Sequence, residues 1–199
     1  MARHGTELIN PFKVLERIAL QRGQFVADLG CGSLGHFVFP AAQLVGGDGR
    51  VYAVDIQKTA LHAIERAAKH DQYWNVYPVW SDIEVMHATR IADASLDATL
   101  VVNNLFLSTN RAGLVAEAIR LTKPGGVILF IEWEKGKTVI GPPDTQRLSA
   151  DLARTYFADD CLEEVDAFSA GDCHYALVFR RKLLPLEAEV VHVSHPTHR

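Results

Sequence analysis

Phe25-Val26-Ala27-Asp28-Leu29-Gly30-Cys31-Gly32-Ser33-Leu34-Gly35 is the stretch on which the fold turns. An apolar run of strand length, Phe25–Asp28, passes straight into a glycine-rich turn. Behind it, residues from about His36 to Val45 have the length and apolar content of a helix, with Pro40 confined to its first turn. Strand, glycine turn and helix in that order begin a βαβ unit. Gly30, Gly32 and Gly35 spell G-x-G-x-x-G, a spacing that lets the backbone turn tightly and approach a ligand closely. The next apolar run, Arg50–Asp55, ends in a carboxylate 20 residues beyond Gly35, where an acid accepts hydrogen bonds from ribose hydroxyls.

Outward from this unit the apolar period keeps switching between strand and helix, which predicts an α/β fold around a mostly parallel sheet. Upstream, Asn10-Pro11 reads as a helix start, Phe12, Leu15, Ile18 and Ala19 as one face, and Gly23 as the stop. Downstream, Thr59–His70 is helical with Leu61, Ile64 and Ala68 inward, and Val76–Trp80 is a strand. Ala98–Val102 is a strand and Arg111–Thr122 a helix capped by Asn110. Lys123-Pro124-Gly125-Gly126 reads as a turn into the strand Val127–Glu132. A last helix starts after Ser149, and Leu162–Phe168 with His174–Arg181 reads as an antiparallel hairpin closing one sheet edge. One domain is expected over residues 1–182, with 183–199 as a strand-poor tail.

The 199 residues are 48% hydrophobic and 22% charged, ordinary for a globular domain. A net charge of −4 gives no electrostatic footprint for nucleic acid, and Arg180-Arg181-Lys182 reads as a solvated run. No apolar stretch has bilayer-spanning length, and the first residues form an amphipathic helix with no signal-peptide core, so a cytoplasmic location is expected. Cys31, Cys161 and Cys173 are far apart, match no zinc spacing and are not arranged to grip arsenic. His192, His195 and His198 recur every third residue in the tail but lack cysteine or carboxylate neighbours, so no metal site is expected.

The glycine motif alone serves a nicotinamide dinucleotide or S-adenosylmethionine (SAM). Asp28 discriminates between them. A dinucleotide sets an anionic pyrophosphate on the glycine turn, which a carboxylate repels. SAM brings an ammonium near the same turn, which a carboxylate attracts.

The segment Val26–Gly32 resembles the first motif of class I SAM-dependent methyltransferases, and Val51–Ile56 resembles their second, ribose-binding motif. Ser81-Asp82-Ile83 sits where that family contacts adenine, Leu96–Asn104 resembles its fourth strand, and Leu121–Gly126 its L-K-P-G-G turn. Within the family the chain is most similar to small stand-alone relatives of the ubiquinone/menaquinone-biosynthesis C-methyltransferases, with Gly141-Pro142-Pro143 in support. The resemblance implies a Rossmann-like three-layer sandwich whose seven-stranded sheet ends in the antiparallel hairpin. It implies SAM contacts from Asp28, Gly30, Cys31, Gly32, Asp55, Ile56, Asp82, Ile83 and Asn103. The chain departs from the family in two places. Leu34 is an extra residue before Gly35, and Phe106 stands where relatives often have histidine.

Methyl transfer asks mainly for in-line positioning, and a base only where the nucleophile keeps its proton. Acceptors approach over the carboxyl ends of the strands, which nominates Phe37, Asn104, Phe106, Glu132 and Trp133 as acceptor-binding residues. His36 and Glu132 are the candidate bases, each equally suited to a structural place. The expected function is methyl transfer from SAM to a small-molecule acceptor. A nicotinamide-dependent oxidoreductase and a non-catalytic SAM-binding scaffold are the alternatives.

Overall fold

Apolar side chains turned alternately to the two faces of a seven-stranded sheet build two apolar layers, one on each face. The computed structural model describes residues 8–136 and 140–183. In chain order the elements are α1 (Pro11–Arg17), β1 (Phe25–Leu29), α2 (Val38–Val45), β2 (Arg50–Asp55), α3 (Lys58–His70) and β3 (Val76–Trp80). Then follow β4 (Leu96–Val102), α4 (Arg111–Leu121), β5 (Thr122–Trp133), α5 (Ala150–Tyr156), β6 (Leu162–Ser169) and β7 (His174–Arg181). The strand order is β3-β2-β1-β4-β5-β7-β6. All pairings are parallel except β5 with β7 and β7 with β6. The Rossmann-like sandwich with its terminal hairpin is the expected one.

Val26, Ala53, Leu100 and Ile131 turn to the face covered by α1, α2 and α3, where Val38, Ala41 and Ile64 are buried. Ala27, Leu29, Val101 and Phe130 turn the other way, toward Leu114 and Ala118 of α4 and Ala153 of α5. Period-two alternation in the strands meets period-3.6 stripes on the helices, so every central strand is apolar on both faces.

Three boundaries differ in ways that matter to the fold. The first helix stops at Arg17 and not at Gly23, because Ala19 reverses the chain with φ +54°. Its buried residues are Val14 and Leu15, with Ile18 packed alongside, while Phe12 and Ala19 are exposed. The second helix begins at Val38, since Gly35–Phe37 complete the turn before Pro40 takes its first-turn place. The Lys123–Gly126 turn is absorbed into β5: Leu96 pairs with Thr122 but Ala98 pairs with Val127. Gly126 is required there, because a Cβ would come within 2.9 Å of the Asp97 carbonyl oxygen. The basic run is partly structural, with Arg181 donating to the carbonyls of Ile119 and Thr122. The tail histidines 192, 195 and 198 lie outside the described residues.

The irregular segment between β3 and β4 is fixed by a buried ion pair. Arg120 donates to Glu117 through Nε (2.7 Å) and Nη2 (2.6 Å), and also to Thr89, the Ile91 carbonyl and Asp93. Glu117, fully buried, accepts from the His87 N–H and the Thr89 hydroxyl. A paired charge of this kind is costly to orphan. Arg120→Ala is therefore expected to lose about 3–5 kcal/mol in urea unfolding. An Arg120→Met/Glu117→Leu double variant should recover most of it, and a single-variant loss below about 1 kcal/mol would refute the pairing as the segment's anchor.

Candidate functional site

The connections after β1 and β4 leave toward opposite faces of the sheet, which opens a crevice at the carboxyl ends of these neighbours. The glycine turn forms its floor. Gly30 and Cys31 N–H groups both donate to the Val54 carbonyl, at 2.8 and 3.0 Å, tying the turn to β2. Gly30 has φ +75°, and a Cβ there would collide with the Asn104 side-chain amide. Gly35 has φ +60° and lies against the Phe39 ring and Ile64, so it serves helix packing. The extra residue Leu34 is thrust outward, 84% exposed, and leaves Gly30–Gly32 undisturbed.

Two acids flank this turn. Asp55 is buried and accepts from the Gly32 N–H at 2.9 Å through one oxygen and from the Gln57 N–H at 2.8 Å through the other. Asp28 is 3% exposed and takes no hydrogen bond among the described residues. Burial first, and the Asp55 charge second, push its pKa up to about 7. Cys31 is buried beside both acids, and burial followed by the two carboxylates pushes its thiol far up, so it lends backbone and no nucleophile.

A cleft of about 360 Å³ continues from the turn past the carboxyl ends of β2, β3 and β4. Gly30, Asp55, Ile56, Asp82 and Ile83 line it, joined by Gln57, Glu84 and Leu107. Five of the nine expected cofactor contacts thus share one cleft, with Asp28, Cys31 and Gly32 in the same turn. Asp82 accepts from the Glu84 N–H (2.9 Å). Glu84 in turn accepts from the N–H and hydroxyl of Thr109 and the N–H of Asn110, joining the loops after β3 and β4. Trp80 donates its indole N–H to the Ile56 carbonyl (2.8 Å). Gln57, Glu84 and Trp80 are additions that no motif marks.

Asn103 and Asn104, adjacent at the end of β4, point in opposite directions. Asn104 donates to the carbonyls of Leu29 (2.8 Å), Gly30 (3.2 Å) and Val102 (2.8 Å), clamping the glycine turn. Asn103, with φ +55°, reaches past the end of β5 to His174 of β7, its Nδ2 lying 3.2 Å from Nε2. His174 was not legible as a site residue, because only the β5–β7 register sets it opposite Trp133.

The expected acceptor residues are more enclosed than their positions suggest. Glu132 is fully buried and accepts from the N–H groups of Phe106 (3.1 Å) and Trp133 (3.3 Å). Burial pushes its pKa up to about 7 against those hydrogen bonds. Phe106 packs on the α4–α5 core, and Phe37 on the opposite core with its ring edge-to-face against His36. His36 is exposed, with Nε2 3.2 Å from the Ile9 carbonyl. Trp133 lies against His174 with ring centroids 4.1 Å apart and ring planes tilted by 42°. Gly141 lies over the Trp133 ring so closely that a Cβ would come within 2.7 Å. Arg147 holds that loop by donating to the carbonyls of Pro142, Glu134 and Ile140.

SAM fits these residues. A buried carboxyl with no partner among the described residues, Asp28, stands where an ammonium is expected, and the acid-ended strand β2 borders the cleft.

Comparison with known proteins agrees. The chain is 36% identical over 118 residues to an arsenite methyltransferase of Aquipseudomonas alcaligenes, covering 56% of this chain and 33% of that protein. It is 26% identical over 131 residues to a demethylmenaquinone methyltransferase of Geobacillus sp. (strain WCH70), covering 64% and 52%. The chain thus spans about a third and about half of the length of these relatives. A crystal structure of a SAM-dependent methyltransferase from Aquifex aeolicus superposes with a TM-score of 0.80 at 22% identity, covering 89% of this chain and 93% of that one, a likeness of fold. The methyltransferase-domain family profile matches residues 20–163, and the chain belongs to that family of SAM-dependent methyltransferases.

Proposed function

We propose that the chain transfers the methyl group of SAM to a small-molecule acceptor. The observation that carries this reading is the unpartnered Asp28 carboxyl beside the Gly30–Gly32 turn, with Asp55 at the end of the adjoining strand. Asp28 and the turn would hold the amino-acid end, Asp55 the ribose hydroxyls, and Ile56, Asp82 and Ile83 the adenine edge. SAM, when bound, supplies a methyl carbon already activated by its sulfonium.

What this chain adds is position and dryness. Asn104 fixes the turn, the Glu84 contacts fix the adenine wall, and the Arg147-held loop folds over Trp133 on the acceptor side. Such positioning is worth on the order of 7–11 kcal/mol without a catalytic side chain. Glu132 serves best as a strap between β5 and the loop after β4, since both its oxygens are engaged with backbone amides. An acceptor that ionises readily, or carries a nucleophile without a proton to lose, suits a site of this kind.

A dinucleotide would set its pyrophosphate against Asp28, which disfavours the oxidoreductase reading. The arsenite activity of one relative is not carried over. Among the described residues no group of three or more His, Cys, Asp or Glu side chains is placed to hold a metal ion, and Cys31 belongs to the glycine turn.

Titration calorimetry with SAM, S-adenosylhomocysteine and NAD tests the reading. The first two are expected to bind and NAD not to. Because the ammonium favours the Asp28 carboxylate, affinity should rise with pH and level off above about 7, falling up to about tenfold per pH unit below that. Asp28→Asn should bind at least about tenfold more weakly above pH 7 and lose this dependence. It is a cleaner variant than Asp55→Ala, which also frees two backbone amides. Binding of NAD alone, or an unchanged pH profile in Asp28→Asn, would sink the proposal.

Glu132 gives a second test, through stability. Its pKa rises from 4.5 to about 7 on folding, so the native state binds the extra proton between those values. Glu132 therefore withdraws about 3 kcal/mol of stability as pH rises through this window, and nothing further above it. Glu132→Gln keeps an oxygen for the Phe106 N–H and removes the charge. It should match the wild type near pH 4.5 and melt higher at pH 8. Equal melting at pH 8 would show that the carboxylate is not buried as described.

A further inference from the structure

The tryptophan that ends β3 makes a contact its surroundings do not require. Trp80 is 61% exposed, so water would serve its indole N–H, yet that group donates to the Ile56 carbonyl at 2.8 Å. Lys58, the first residue of α3, sets its Nζ 4.0 Å from the ring centroid and steadies the indole from the other side of the link. An exposed hydrogen bond adds little to stability, because the unfolded chain makes the same bonds to water. What this one decides is direction.

The carbonyl of Ile56 and the N–H of Gln57 belong to one peptide plane. A trans peptide points the two groups opposite ways, and here each has a partner. The carbonyl accepts from the indole, and the N–H donates to Asp55 Oδ1 at 2.8 Å. Both flanks of this plane are fixed by other bonds. Ser81 N–H donates to the Asp55 carbonyl at 3.1 Å, and the Gln57 carbonyl accepts from Ala60 N–H (3.0 Å) and Leu61 N–H (3.2 Å) in the first turn of α3. The plane between them is the part of the link from β2 to α3 that these flanking bonds leave free to turn. Turned over, it would set the Ile56 carbonyl toward the Asp55 carboxylate, acceptor against acceptor.

We propose that Trp80 is a positioning residue for the cofactor, acting through the Ile56–Gln57 peptide on the Asp55 carboxylate that takes the ribose hydroxyls. The inference rests on the methyl-transfer reading and deepens its cofactor side. Asp55 is held at two points, by Gly32 N–H on Oδ2 at 2.9 Å and by Gln57 N–H on Oδ1. Two points aim a carboxyl group, whereas one leaves it free to rotate and the ribose must then bear the cost of ordering it. The first point comes from the glycine turn, and the second exists because the indole keeps the peptide the right way round. Trp80 does not itself line the cleft, so its influence on the ligand passes through Asp55.

The test titrates the full chain by calorimetry with S-adenosylhomocysteine and with its 2′,3′-dideoxy analogue, which lacks the two ribose hydroxyls. Trp80→Phe keeps a ring beside Lys58 and removes the N–H. It is expected to bind S-adenosylhomocysteine about fivefold more weakly than the wild type, the worth of one ordinary hydrogen bond. The analogue has no hydroxyl for Asp55 to take and should bind both proteins alike. The ratio of the two affinities therefore shrinks, which a role in stability alone would not produce. Trp74→Phe, at an exposed tryptophan outside the cleft, should leave both affinities unchanged. Should Trp80→Phe fail to fold, the wild type carries the same information, since coupling between two sites acts in both directions. Its Trp80 indole N–H, followed by nitrogen-15 NMR, should exchange with water about fivefold more slowly when S-adenosylhomocysteine is bound, and at an unchanged rate with the analogue. Equal weakening of both ligands in folded Trp80→Phe, no weakening of S-adenosylhomocysteine, or an indole exchange rate indifferent to the hydroxyls overturns the role of Trp80 and leaves the methyltransferase reading standing. Failure of the wild type to bind S-adenosylhomocysteine overturns that reading, and the role of Trp80 with it.

Discussion

The Asn104 amide, donating to the carbonyls of Leu29, Gly30 and Val102, is the contact on which the site depends. It joins the ends of two parallel strands at the point where their connections diverge to opposite faces. A turn with glycine at φ +75° has few intrinsic preferences to hold it, because glycine loses the most conformational freedom on folding. The amide supplies that hold from β4, and the Val54 carbonyl supplies it from β2. The same closeness excludes any side chain at position 30. Glycine is thus demanded there twice, by backbone angle and by the amide lying where a Cβ would go.

With the turn held, the electrostatics around it acquire a direction. Burying Asp28 near Asp55 opposes folding at neutral pH, since neither burial nor a neighbouring carboxylate favours its charged form. Asp55 is compensated by the Gly32 and Gln57 amides, whereas Asp28 has no such compensation. The contrast between two acids so close together assigns them different tasks. One is built into the protein's own backbone and offers its remaining lone pairs. The other finds no partner among the described residues. Contrast the Glu117–Arg120 pair, where every charge has a protein partner and the outcome is only a rigid loop.

What could be read from the sequence follows from where the information is local. The glycine turn, Asp28, Asp55 and the apolar alternation of the strands are written within a few residues of one another, and all proved to share one end of the sheet. Ends of elements were less legible. The first helix yields at Ala19 because tertiary packing rewards Val14 and Leu15 over the Phe12 face, and the Lys-Pro-Gly-Gly turn merges into β5 because Gly126 can press against β4. His174 was out of reach for a different reason. Nothing within its own stretch distinguishes it, and its place beside Trp133 and Asn103 is set by antiparallel register between strands more than forty residues apart. Phe37 and Phe106 show a different limit: position along the chain does not say which way a side chain turns, and both pack against the apolar layers.

The two asparagines divide the site along the same logic. Consecutive residues at a strand's end project to opposite sides, so Asn103-Asn104 addresses both halves of the crevice from one place. Asn104 is spent on the half formed by the glycine turn and β1. Asn103 faces the half formed by β5, β7 and the Arg147-held loop, where the sheet departs from parallel order. A substitution at Asn104 would therefore free the carbonyls of Leu29, Gly30 and Val102 that hold the glycine turn to β4. One at Asn103 or His174 would instead break the contact that ties the end of β4 to β7.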